Sequence, residues 1–313
     1  PEVLKVQEVA MPSPKADEVL IKVHAASVTT AGAMMRTGMP YIGRLFLGLR
    51  RPKNAIPGTG VAGVVEAIGE DVTGFKVGER VYGENITTFG THAEYVCISE
   101  NGVIEVMPEN LSFEEAAGAC DGALTSMNFL QLLVKIEKGQ KILINGASGS
   151  LGTAAVQLAK AYGAEVTGVC SSRNVELVKS LGADFVIAYD KTDFTELDKQ
   201  YDIIYDTVGK ISFPSCCGVL TKNGAYLSPV LGFPLLFQML ISSVFNKKKA
   251  KFSATGTLPL NKLRPLFKEL TALFKAGKIK GIVDRSYAMS QIVEAHQYID
   301  QGRKKGNVVL AIN

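Results

Sequence analysis

Residues 145–152 read Asn145-Gly146-Ala147-Ser148-Gly149-Ser150-Leu151-Gly152, with glycines at a Gly-x-x-Gly-x-x-Gly spacing. An apolar run, 141–144, precedes them and an Ala- and Leu-rich stretch, 151–162, follows. Glycines so placed let the backbone turn sharply and approach a diphosphate. The following helix then offers its first N–H groups and the positive end of its dipole. The glycine spacing alone is a weak signal; a strand before it and a helix after it make it a dinucleotide-binding loop. The second cluster that could do chemistry is Cys170-Ser171-Ser172-Arg173-Asn174, at the end of the next apolar run. A site for an unphosphorylated ribose places Asp or Glu there. This tip carries no acid, and Ser171, Ser172 and Arg173 suit a 2′-phosphate through charge-assisted hydrogen bonds. The segment therefore predicts NADP(H), with a solvated surface Arg173 as the alternative.

The elements that must hold these residues fall into two grammars. The first 115 or so residues alternate apolar and polar residues in short runs, at 18–23, 63–69, 77–83 and 93–96. Gly and Pro turns separate the runs, which predicts a small barrel or sandwich. Ser112-Phe113-Glu114-Glu115 is a capping box that opens a helix. From Gly139 the rhythm becomes strand and helix in turn. Strands are predicted at 141–144, 165–170, 185–187, 203–206 and 225–227, and helices at 151–162 and 175–181. Such alternation builds βαβ units and a parallel sheet. The tail predicts helices at 263–276 and 291–301, a short strand at 282–284 and a last strand at 308–312.

Composition sets the outer bounds. The chain has 313 residues, 47% of them hydrophobic and 20% charged, and a net charge of +4. That excludes a disordered, collagenous or coiled-coil protein, and it gives no ground for nucleic acid as a partner. Five cysteines, with no Cys-x-x-Cys pair, predict free thiols and a cytoplasmic setting, adjacent Cys216 and Cys217 included. No basic-apolar signal stretch opens the chain. It begins at Pro1 rather than Met, which reads as the loss of a few N-terminal residues. The three histidines, His24, His92 and His296, stand at no metal-ligand spacing with a cysteine, so no metal is expected. His24 reads as structural. No Ser-His-Asp or Cys-His set and no carboxylate pair suited to acid–base work is visible.

With these residues in hand, the chain resembles the medium-chain dehydrogenases/reductases, in their zinc-free, quinone oxidoreductase-like branch. The resemblance rests on residues 18–23, 57–65, 77–83, 93–96, 139–160, 180–184, 201–209 and 306–310, in that order, and covers nearly the whole chain. It implies an α/β architecture: a GroES-like β-barrel domain, 1–118 completed by 255–313, and an inserted Rossmann domain with a doubly wound parallel sheet, 119–254. It implies that Gly146, Ala147, Ser148, Gly149, Ser150, Leu151 and Gly152 hold the pyrophosphate and that Ser171, Ser172 and Arg173 face the 2′-phosphate. It sets Tyr189 beside the adenosine end, Thr125 near the nicotinamide, and Val208, in Asp206-Thr207-Val208-Gly209, above the cofactor ribose. Zinc relatives carry ligands where this chain has Thr29, Thr59-Gly60 and Cys120 or its neighbours. Within the zinc-free branch, Thr29 and Gly32 stand where many members have Asn and Asp.

The activity implied is hydride transfer from NADPH to a quinone or an α,β-unsaturated carbonyl without zinc. Thr29 and Tyr41 are candidate hydrogen-bond donors to the developing oxyanion. A zinc-type alcohol dehydrogenase and a low-turnover NADPH-binding sensor or structural protein stand as alternatives. The partners expected are a small lipophilic substrate and a second copy in a homodimer. Two apolar stretches, 34–51 and 235–245, the second followed by Lys247-Lys248-Lys249, suggest a large pocket for a bulky substrate. At most, they suggest weak peripheral contact with anionic lipid.

Overall fold

The alternating run at the start becomes the first half of β1 (Glu18–Val28), in which only Lys22 is exposed. The computed structural model describes residues 1–38, 54–245 and 247–312. After β1 come the helix Thr30–Thr37, β2 (Gly60–Ile68), β3 (Arg80–Glu84), β4 (Tyr95–Ser99), β5 (Val103–Val106) and the helix Phe113–Met127. The predicted capping box opens that helix. Glu115 N–H donates to Ser112 Oγ at 3.1 Å, and Ser112 N–H donates to the Glu115 carboxylate at 2.9 Å.

β1 organises its sheet because one of its edges serves two partners. Glu18 to Lys22 pair with β4, and Ala25 to Val28 pair with β13 (Asn307–Ala311). The other edge pairs with β2, with register shifts at Leu20/Ile21 and Val23/Ala25. Such irregularities bend a strand and re-aim its neighbours. The result is a mainly antiparallel seven-stranded sheet in the order β12-β13-β1-β2-β3-β5, with β4 attached to β1 and β12 (Val283–Ala288) beside β13. Val19, Ile21, Val61, Val65, Val308 and Leu310 form its core with Ile292, Ala295 and Ile299 of the helix Ile292–Asp300.

The chain divides into two units, Pro1–Leu124 with Pro259–Asn313, and Thr125–Leu258. The second carries β6 (Lys141–Asn145), β7 (Glu165–Cys170), β8 (Phe185–Ala188), β9 (Tyr201–Asp206), β10 (Leu220–Ser228) and β11 (Lys249–Phe252). All pair in parallel, in the order β11-β10-β9-β6-β7-β8. The order reverses between β6 and β9, and an open parallel sheet leaves a crevice for a ligand at the carboxyl ends of such strands. β6 is buried from Ile142 to Asn145, which explains its unbroken apolar run. β11 was not anticipated. Its Lys249-Ala250-Lys251-Phe252 does alternate, but Lys249 read together with Lys247 and Lys248 as the basic end of the apolar stretch 235–245.

Candidate active site

The glycine loop leaves β6 at its carboxyl end and opens the helix Ser150–Ala161. Each glycine answers a different demand. Gly146 has φ +77°, and a Cβ there would lie 2.5 Å from Val208 Cγ2 and 2.6 Å from Thr207 Oγ1. Gly152 lets the helix pack on the loop, since a Cβ would sit 2.1 Å from Gly146 O. Gly149 is ordinary extended backbone, and a Cβ there would meet only Gly146 O at 3.5 Å. Among the described residues no other group beyond its chain neighbours lies within 4 Å of that position. Gly149 is also the N-cap, so no side chain caps the helix, and its first turn carries no acid. The positive end of the dipole therefore faces this open space uncompensated.

The neighbouring strand end is held by a buried carboxylate. Asp206 Oδ1 accepts from Asn145 Nδ2 at 2.8 Å, Val208 N at 3.1 Å and Gly209 N at 3.0 Å. Its Oδ2 accepts from Ile211 N at 3.1 Å and the Tyr226 hydroxyl at 3.0 Å. Thr207 Oγ1 donates to Asn145 O at 2.7 Å. Five donors thus fix the 206–211 turn against the end of β6, with Val208 half-exposed at its rim. Thr125 is half-buried, and the adjacent Ser126 Oγ donates to Leu151 O at 3.0 Å.

The tip of β7 differs from its sequence reading. The expectation of an acid-free tip is corrected, because Asp190 arrives from the end of β8. Ser172 N–H and Oγ donate to Asp190 Oδ1 and Oδ2 at 2.8 and 2.6 Å. The Ser172 hydroxyl and amide hold this carboxyl below the usual range. Arg173 stays exposed, and Tyr189 is 61% exposed, its N–H bonded to Cys170 O. Ser171 Oγ and Asn174 Oδ1 are buried without partners, while Asn174 Nδ2 donates to Ser148 Oγ at 3.0 Å. Orphaned buried oxygens mark a place where a ligand or water completes the hydrogen bonding. The loop, the uncapped helix and this tip fit a dinucleotide.

In the first unit, Thr29 is buried and caps the helix Thr30–Thr37, its Oγ1 accepting from Gly32 N at 2.9 Å. That bond uses one of the two lone pairs of the hydroxyl. Tyr41 lies outside the described residues. His24 stacks on Phe113, with centroids 4.4 Å apart, in keeping with a structural role.

Two family descriptions match this sequence: "Alcohol dehydrogenase GroES-like domain" over residues 15–109 and "Zinc-binding dehydrogenase" over residues 181–310. The chain is 31% identical over 321 residues to a 2-methylene-furan-3-one reductase of Solanum lycopersicum, covering 99% of this chain and 76% of that protein. The chain belongs to the medium-chain dehydrogenase/reductase family. Other relatives in this family include a quinone oxidoreductase of Homo sapiens, 29% identical over 96% of this chain and 91% of its own length. An NADPH-dependent alkenal/one oxidoreductase of Arabidopsis thaliana is 29% identical over 99% of this chain and 76% of its own length. The solved quinone oxidoreductase from Coxiella burnetii superposes with a TM-score of 0.87 at 27% identity, covering 100% of this chain and 96% of that one.

The zinc in one family description calls for a test against the donors present. Among the described residues no group of three or more His, Cys, Asp or Glu could hold a metal ion. Cys120 is buried, its Sγ donates to Ala116 O at 3.2 Å, and burial pushes its thiol pKa well up, with the Glu84 and Asp121 charges adding to this. A thiol held protonated is a poor zinc ligand. The described residues do not fit zinc.

Two acids escaped the sequence reading, which saw no carboxylate pair. Glu84 on β3 is buried, with Oε1 unpartnered, and burial raises its pKa, with the Asp121 charge adding to this and the Thr59 hydroxyl working against it. Burial also raises Asp121, against the pull of the Lys304 ammonium. Burial lowers Lys304 to about 8. The sequence signal was slight: Glu84 closes a strand whose three preceding residues, Val81, Tyr82 and Gly83, carry no charge.

Proposed function

We propose that this chain is an NADPH-dependent reductase that delivers hydride to a quinone or an α,β-unsaturated carbonyl without zinc. The observation that carries the reading is the open space before Gly149, faced by an uncapped helix N-terminus at the reversal point of a parallel sheet. The names of the Arabidopsis and Solanum relatives support the cofactor and the acceptor class.

When bound, NADPH supplies a hydride from its nicotinamide C4. Residues 146–152 cradle the pyrophosphate with backbone N–H groups, and Gly149 leaves room for it. Arg173 and Ser171 bind the 2′-phosphate, Tyr189 flanks the adenosine, Val208 covers the ribose, and Thr125 borders the nicotinamide. Ser172 acts less directly, since its hydroxyl is engaged by Asp190. The donors at the zinc-ligand positions do not form a metal set, so no strong Lewis acid polarises a saturated alcohol. Conjugated acceptors need no such help. Hydride adds to the quinone or the enone β-carbon, and Thr29 and Tyr41 donate hydrogen bonds to the oxygen that gains charge. A proton from water completes the reduction. The free thiols support a cytoplasmic setting, and the edge strand β11 supports assembly as a homodimer.

The test follows NADPH oxidation by absorbance with a panel of quinones and enones, alongside metal analysis of the purified protein. Turnover without zinc is the expected result. One zinc per chain with alcohol turnover would overturn the reading in favour of an alcohol dehydrogenase. Tight NADPH binding with no turnover on any acceptor would overturn it in favour of a sensor.

A further inference from the structure

The helix Phe233–Phe245 contains no charged residue. One face packs inward, where Leu235 and Met239 join the core cluster of the second unit together with Ala250. Ser242 on the same side is buried, and its Oγ accepts from Ala250 N at 3.1 Å. The other face carries Phe233, Leu236, Phe237, Leu240 and Ile241, at the three- and four-residue spacing that makes a single stripe. All five are exposed, Phe233 by 91%, Phe237 by 64% and Leu240 by 63%, and the exposed Leu231 extends the stripe at its start. Single exposed apolar residues are ordinary, but a contiguous stripe of this kind marks an interaction surface.

Charge decides which partner it fits. No Asp or Glu stands between Asp206 and Phe252, while Lys210, Lys222, Lys247, Lys248, Lys249 and Lys251 do. Lys247 is exposed just beyond the helix. Lys249 Nζ is fixed at the helix end by bonds to Ser242 O and Ser243 O at 2.7 and 3.1 Å. A neutral apolar groove on a protein would match the stripe but not the exposed lysine at its end. Lys248 and Lys251 also turn Nζ inward, to Cys217 O and Leu133 O, which leaves Lys247 free beside the stripe. An anionic bilayer matches both, with acyl chains for the stripe and headgroups for Lys247. Among the described residues no helix is long and apolar enough to cross a membrane, so the contact is with its surface.

We infer that the helix Phe233–Phe245 is an interfacial anchor that seats Phe233, Phe237 and Leu240 in the headgroup boundary of an anionic bilayer, with Lys247 among the headgroups. This goes beyond the reductase reading and does not depend on it.

The test is co-sedimentation of the full chain with vesicles of phosphatidylcholine alone or mixed with phosphatidylglycerol, at low and high salt. The intact chain is expected to bind the anionic vesicles, and high salt to weaken the binding. Phe233→Ser/Phe237→Ser/Leu240→Ser is expected to lose about tenfold or more in partitioning. Its NADPH affinity and circular dichroism should match the parent, since all three side chains face solvent. Intact protein left in the supernatant at low salt would overturn the inference, as would a triple variant that binds as well as the parent. A triple variant that converts a dimer to a monomer, with no vesicle binding by either form, would assign the stripe to a second copy. A change in KM for lipophilic acceptors without vesicle binding would assign it to substrate cover. The chain has no tryptophan, so Phe237→Trp is a lone reporter that does not depend on the triple variant folding. A blue shift of its emission with anionic vesicles is expected, and none would overturn the inference.

Discussion

Gly149→Val separates binding from folding at the loop. At Gly149 the backbone has φ −83° and ψ −178°, which any residue adopts, and the new Cβ would meet only Gly146 O at 3.5 Å. The stability change should stay within about 1 kcal/mol, because a stiffer unfolded chain offsets a less favourable N-cap. The valine methyls would instead occupy the space in front of the helix N-terminus. Losing even one charge-assisted bond from backbone N–H to phosphate costs about 1.5–3 kcal/mol, or about 10- to 150-fold in affinity. Gly152→Ala is the contrast, since its Cβ would overlap Gly146 O at 2.1 Å and should damage stability and binding together. The assay is calorimetric titration with NADPH beside urea unfolding of each variant. An unchanged NADPH affinity in Gly149→Val, with the fold intact, would refute the placement of the diphosphate.

Arg173→Ala should weaken NADPH about tenfold while sparing NADH, and Asp190→Asn should shift the preference further toward NADPH; competition binding reads both, and equal losses of the two cofactors in the arginine variant would contradict the assignment. Asp206→Ala strands four buried or half-buried donors, since the Tyr226 hydroxyl keeps Ile211 O at 2.7 Å, and should cost about 3 kcal/mol or more in urea unfolding; a loss under about 1 kcal/mol would mean the 206–211 turn does not need its carboxylate. His296 is buried with neither ring nitrogen partnered, and burial, reinforced by His92, lowers its pKa from 6.5 to about 4. The unfolded chain therefore binds a proton that the folded chain refuses, so the stabilisation present above pH 6.5 is lost as pH falls toward 4. That loss is about 3 kcal/mol, and His296→Phe should flatten the fall in unfolding free energy across the window; a slope equal to the parent's would refute it.

Local order along the chain decided much of this molecule in advance. The unbroken apolar run of β6, the glycines after it and the alanine-rich stretch beyond them put a side-chain-free loop at a helix start. Ser112 and Glu115 capped their helix as their spacing required, because such bonds join neighbours. The tip of β7 was misread for the converse reason. Asp190 stands near Ser172 only because β7 and β8 are parallel neighbours, whose carboxyl ends lie side by side. The alternation of β11 was visible, yet its lysines masked it until an adjacent strand supplied the pairing.

The sequence by itself therefore determined the alternation of strands and helices and the position of the glycine loop, since hydrophobic period and backbone sterics act over a few residues. Tertiary structure alone decided which distant groups meet. It put Glu84, with one carboxylate oxygen unpartnered, near Asp121, brought His92 within 6.1 Å of His296, and turned one face of an apolar helix outward. Those outcomes depend on strand order and on burial, which no local pattern encodes.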